Sequence, residues 1–205
     1  MTESTWSKLK AAAVNKILSY VLRRSMACAA VHSLLIAVFV VLFTTVTEGS
    51  PDRPLRDSIE AAFILVLILF LGLLLLYGLI GMLGHVPAVQ KLGFEPTPGN
   101  LSPYQSRAVP VRGGSAHAIG RARRILQETD GVRIIEQEPN GARVRAVRKA
   151  HDDAGYAQLI EITADPSEGA SNVEVRSRPR FHLAPFDRGQ NLVNVESIAA
   201  ELGSP

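Results

Sequence analysis

Apolar and polar positions follow two different regimes along this chain. Before residue 90 the apolar residues come in long unbroken runs, and after residue 115 they recur at short, regular intervals. The stretch from Ala61 to Gly84, AAFILVLILFLGLLLLYGLIGMLG, contains no charged side chain. As a helix rising about 1.5 Å per residue it reaches about 36 Å, more than the roughly 30 Å hydrocarbon core of a bilayer. An earlier run from Met26 to Thr47, MACAAVHSLLIAVFVVLFTTVT, is also uncharged. It ends without a small-residue cleavage pattern, so it reads as a retained membrane helix rather than a secretory signal. The two runs predict a transmembrane hairpin.

The later part carries shorter periods. In SAHAIGRARRILQETDG, Ala118, Ile119, Ala122, Ile125 and Leu126 share one helical face behind Ser115 as N-cap. VRIIEQE and ARVRAVRK, joined through Asn140-Gly141, form a β-hairpin pattern, and YAQLIEITAD and NVEVRSR read as two further strands. Leu192, Val195, Ile198, Ala199 and Leu202 mark a closing helix. The expected fold is thus a membrane α-helical hairpin plus a small α+β cytoplasmic domain, an antiparallel four-stranded meander with two helices on one face. Four regions follow: a basic amphipathic N-terminal segment at 1–25, the hairpin at 26–84, a Pro/Gly-rich linker at 85–114, and the α+β domain at 115–205. The N-terminal segment, with Trp6, Leu9, Ala13, Ile17 and Val21 at helical spacing, fits an interfacial helix and equally an extension of the first span.

Charge orients the hairpin. Lys8, Lys10, Lys16, Arg23 and Arg24 precede the first span, and Lys91, Arg107 and Arg112 follow the second. The positive-inside rule puts both termini in the cytoplasm, here of a bacterial inner membrane. Residues 101–205 carry fourteen basic and thirteen acidic groups, a balance that disfavours nucleic-acid binding by bulk charge. The one cysteine, Cys28, excludes an intramolecular disulfide and a cysteine zinc site.

Candidate chemistry is sparse. His32, inside the first span, is either a cofactor ligand or a neutral histidine hydrogen-bonded to a neighbouring helix, and His85 reads as an interfacial residue. Gly72, Gly78, Gly81 and Gly84 form a candidate helix-packing face, whose partner can be the first span itself. Arg143, Arg145, Arg176 and Arg178 face outward from the strands. They suit an anionic contact, or a solvated face paired with Glu136, Glu138, Glu161 and Glu174. Gly113-Gly114-Ser115 is a candidate anion-binding turn. His117, His151 and His182 show no ligand spacing. With no nucleophile and base pair, metal cluster or phosphate loop, the expectation is a protein that is not an enzyme and that needs no cofactor of its own.

The segment VEVRSRPRFHLAPFDRGQNLVNVESIAAEL resembles the end of the bacterial domain-of-unknown-function family fourteen ninety-nine. There a strand ending in Arg-Ser precedes a loop with Asp-x-Gly-x-Asn and a helix, matched here by Arg176, Ser177, Asp187, Gly189 and Asn191. The resemblance covers roughly 115–202, without that family's cysteine-containing opening, and it implies no established reaction. In the loop, Asn191 is expected to cap the last helix and Asp187 to pair with an arginine. The leading expectation of function is a non-catalytic accessory subunit of a larger integral-membrane complex, respiratory or photosynthetic, whose partners are other membrane subunits and the bilayer. The alternative is a self-standing membrane protein whose domain binds anionic lipid or a small ligand.

Overall fold

The computed structural model describes residues 3–48, 55–138, 142–150, 156–165, 170–181 and 183–204. The chain divides into two compact units, Met1–Gly84 and His85–Pro205.

The first unit is a pair of packed helices, α1 (Glu3–Glu48) and α2 (Leu55–Leu79). No glycine or proline interrupts the sequence from Glu3 to Glu48, so nothing breaks the backbone ladder, and the chain then meets Gly49, Pro51 and Pro54. Within the described residues, 3–25 are therefore continuous with the first apolar run, as one helix. Trp6 and Leu9 lie outside the residues whose side chains are described. Ser25, Ala29, Ser33 and Ala37 recur every four residues on α1 and are all buried. This stripe of small side chains lets a neighbouring helix approach closely, and His32 beside it meets Tyr77 of α2 edge to face at 5.7 Å. Both helices are long and apolar enough to cross a bilayer.

After α2 the helix widens into a π-helical turn, Ile80–His85, before α3, Val86–Lys91. Pro87 at the start of α3 has no N–H to give and its ring crowds the preceding turn, and a widened turn upstream relieves that conflict.

The second unit is α+β. Its sheet has five antiparallel strands in the order β1-β5-β4-β3-β2, formed by β1 (Gln105–Arg112), β2 (Val132–Gln137), β3 (Arg143–Arg148), β4 (Gln158–Ala164) and β5 (Ala170–Pro179). The expected meander is present as β2 to β5, and the expected count of four strands is corrected to five. The extra strand β1 lies in the stretch read as a linker, which instead carries α3, β1 and the turns between them. Pro110 made QSRAVPVR look like a connector, yet β1 is an edge strand, where proline's missing N–H costs little. The Asn140-Gly141 turn lies outside the described residues.

Helices α4 (Ser115–Glu128) and α5 (Gln190–Gly203) cover one face of the sheet. Ala118, Ile119, Ala122, Ile125 and Leu126 of α4 meet Val195, Ile198, Ala199 and Leu202 of α5 in one core with Val144, Ala146, Ile160, Ile162, Val173 and Val175. Each fully buried aliphatic side chain contributes about 1.5–3 kcal/mol. A separate group under α3, comprising Val89, Leu101, Ala184 and Phe186, is also buried.

Candidate functional site

Strand alternation carries Val173 and Val175 into the core and places Ser177 next on that same inner face. On the facing helix Asn191 and Asn194 stand one turn apart, among Leu192, Val195 and Ile198, and both are buried. Polar residues have replaced apolar ones at core positions, and they are hydrogen-bonded to one another, as burial requires.

The bonds form a directed chain. Arg148, at the end of β3, donates to Asn194 Oδ1 at 2.5 Å. Asn194 Nδ2 donates to Ser177 Oγ at 3.1 Å, and the Ser177 hydroxyl donates to Asn191 Oδ1 at 2.6 Å. Asn191 Nδ2 then donates to Asp187 Oδ2 at 2.6 Å. Every donor points away from the guanidinium and toward the carboxylate, so each dipole reinforces the next.

Asp187 also accepts the backbone N–H groups of Asn191 at 2.8 Å and Gly189 at 3.1 Å, which satisfies the start of α5. Asp187, expected to pair with an arginine, instead serves the helix start, and Asn191, expected to cap the helix, places its side chain in the network. Gly189, the N-cap, has φ +78°, and a Cβ there would meet Leu92 Cδ1 at 2.9 Å and Val89 Cγ2 at 3.2 Å. Only glycine allows both the left-handed turn and the close seat against α3.

His85 completes the site. Rather than lying at an interface, as its sequence position suggests, the side chain is fully buried in the second unit, its ring 5.1 Å from that of Phe186. Its Nε2 lies 2.9 Å from the carbonyl oxygen of Leu101, which can only accept, so Nε2 carries the hydrogen. Nδ1 then faces Asp187 Oδ1 at 3.9 Å, beyond hydrogen-bond length, and has no partner. Burial holds the ring below the ordinary histidine range, against the pull of the Asp187 carboxylate and the Leu101 bond.

The other expected site residues lie elsewhere. Arg143 pairs with Glu136, Glu138 and Glu161, Arg145 with Glu136, and Arg176 with Glu174, all on the sheet face away from the helices. Arg176 and Arg178 border a groove of about 320 Å³ with Tyr104, Ser106 and Glu174. Gly113, at φ +97°, lies under the His117 ring, where an added Cβ would come within 3.0 Å. No side chain caps the N-terminus of α4. His151 and His182 lie outside the described residues. In the first unit, His32 Nδ1 donates to the Cys28 carbonyl at 2.8 Å. A Cβ added at Gly72, Gly78 or Gly84 would meet nothing within 4 Å, so these glycines do not seat α1, while Gly81 is buried.

The buried chain was partly readable in advance. Ser177 falls on the valine phase of its strand, and Asn191 and Asn194 fall on the apolar face of their helix. His85 gave no such signal, because its partners Leu101 and Asp187 are distant in sequence. No protein-family model matches the chain, and no curated protein matches it.

Proposed function

We propose that this chain is a non-catalytic accessory subunit of a larger integral-membrane complex in a bacterial inner membrane. Its hairpin packs among other membrane helices, and its second unit caps the cytoplasmic face. The observation that carries this reading is the surface of α2. Phe63, Leu75 and Leu83 are 69%, 66% and 74% exposed, and apolar side chains stand open along the whole side of the helix and its π-helical end that α1 does not cover. A helix apolar all round belongs in lipid or among other helices. Within that surface, Gly72 and Gly78 leave gaps that α1 does not fill. Such gaps are where a further helix comes close.

The second unit supports the same reading. Its buried Ser177, Asp187, Asn191 and Asn194 direct their hydrogen bonds to one another and to the start of α5, an arrangement that fits a role in shape. We extend this to the family resemblance: of the five residues that carry it, Ser177, Asp187, Gly189 and Asn191 hold the fold of the unit together, while Arg176 pairs with Glu174 on the outer face of the sheet. The groove beside Arg176 and Arg178 favours the second reading, in which an anionic lipid headgroup binds there.

The test is purification of the tagged full-length protein from native membranes in mild detergent, with mass spectrometry and an absorption spectrum of the eluate. Stoichiometric membrane partners are expected. Recovery of the chain alone with anionic lipid would replace the first reading by the second.

A further inference from the structure

The contact between His85 and Asp187 is unfinished in a specific way. With Nε2–H committed to the Leu101 carbonyl, the neutral ring turns a lone pair toward a carboxylate oxygen 3.9 Å away. Two acceptors face each other with both side chains buried. The carboxylate is already engaged by three donors, two from the Asn191 residue and one from Gly189, which bind it to the start of α5. It is not free to move toward the ring without leaving the helix.

A proton arriving on Nδ1 therefore enters a closed site with no acceptor at bonding distance. Asp187 is the charged group that faces the ring. Its other neighbours, the Leu101 carbonyl and the Phe186 ring, are uncharged, while Arg188 and Lys91 are exposed. The alternative for a charged ring is water, and reaching water requires α3 to lift from the start of α5. α3 is seated there by Val89 and Leu92 against the bare backbone of Gly189, and by Val86 and Val89, which are buried as Leu101, Ala184 and Phe186 are, so an open joint exposes this apolar group as well.

We propose that His85 is an acid-operated release for this joint, holding α3 against the start of α5 while neutral and freeing it on protonation. The sign follows from linkage. A histidine held below its ordinary value in the closed joint binds a proton more readily once the joint opens, so a fall in pH shifts the balance toward the open form. The chain places this device directly after Gly84, where the second apolar run ends.

The test uses the full chain in phosphatidylcholine nanodiscs. Amide hydrogen exchange, corrected for its intrinsic pH dependence, is followed over residues 85–94 and 186–192 from about pH 7.5 to pH 5.5. Protection there is expected to fall roughly tenfold for each pH unit by which the closed and open values differ, while the central strands β4 and β5 stay protected. His85→Gln, which retains a donor for Leu101 and cannot charge, is expected to abolish the pH dependence. Unchanged or increased protection on acidification overturns the proposal, as does the same loss in His85→Gln. Should that variant fail to fold, ¹⁵N-histidine spectra of the unaltered protein decide. A neutral His85 with its hydrogen on Nε2 at pH 7.5 supports the release, and a ring already charged there overturns it.

Discussion

The Ser177 hydroxyl donates to Asn191 Oδ1 across 2.6 Å, joining the last strand of the sheet to the first turn of the last helix inside the protein. It is the central link of a chain running from the Arg148 guanidinium to the Asp187 carboxylate. Removing either partner leaves the other buried and unsatisfied. Ser177→Ala is expected to cost about 1–3 kcal/mol and Asn191→Ala somewhat more, because Asn191 serves Ser177 and Asp187 together. Urea unfolding of each single variant and of the pair checks this. A coupling of at least about 0.5 kcal/mol is expected in the double-mutant cycle, and strict additivity would contradict the chain.

Glycine is required at 189 by backbone geometry, beyond the hydrogen bond that its N–H gives Asp187. Gly189→Ala combines a positive φ with a Cβ 2.9 Å from Leu92, so a loss of about 1–3 kcal/mol is expected. Gly120→Ala, on α4 with open space around its Cβ, is expected to be neutral or stabilising by up to about 1 kcal/mol. Thermal unfolding of the two variants side by side distinguishes them.

In the first unit, Cys28 is buried beside the small-residue stripe and reports on its packing. Maleimide labelling in detergent should be slow at Cys28. It should be fast at a cysteine placed by Leu34→Cys in a chain whose own cysteine is replaced by alanine, since Leu34 is exposed. Ser33→Leu forces the helices apart and should raise the labelling rate of Cys28 several-fold. An unchanged rate would mean the stripe is not the packing surface.

Arg121 reaches from α4 to the end of α5, donating to the carbonyls of Glu201 at 2.7 Å and Ser204 at 2.8 Å. These are orphan acceptors of a helix C-terminus, and the guanidinium suits the negative end of the dipole. Arg121→Ala should cost about 0.5–1.5 kcal/mol, as expected for an exposed set of bonds, and hydrogen exchange should rise at 200–204 first.

Much of this architecture was legible in the periodicity. The apolar faces of α4 and α5 are the faces that the core buries, because a 3.6-residue repeat allows one solution once a sheet is present. Strand β1 was hidden by Pro110, whose fitness for an edge depends on which strand pairs with β5, a property of the assembled sheet. The glycines Gly72 and Gly78 of α2 suggest a helix-contact stripe, yet open space surrounds them. The buried stripe lies on α1 in Ser25, Ala29, Ser33 and Ala37, where a serine or alanine every four residues serves the same purpose less visibly. His85 was obscured by its place at the end of an apolar run, which suggested an interface. Its burial comes from Leu101 and Phe186, brought to it only by folding.

The proposed subunit role requires that another chain use the gaps which α2 leaves open at Gly72 and Gly78. Cross-linking in native membranes from photoreactive side chains placed at exposed Leu71 and Leu79, beside Gly72 and Gly78, tests this most directly. A discrete adduct with a second membrane protein is expected, lost when Gly78→Leu fills the gap while the chain still inserts. Cross-linking to lipid alone, unaffected by Gly78→Leu, would contradict it.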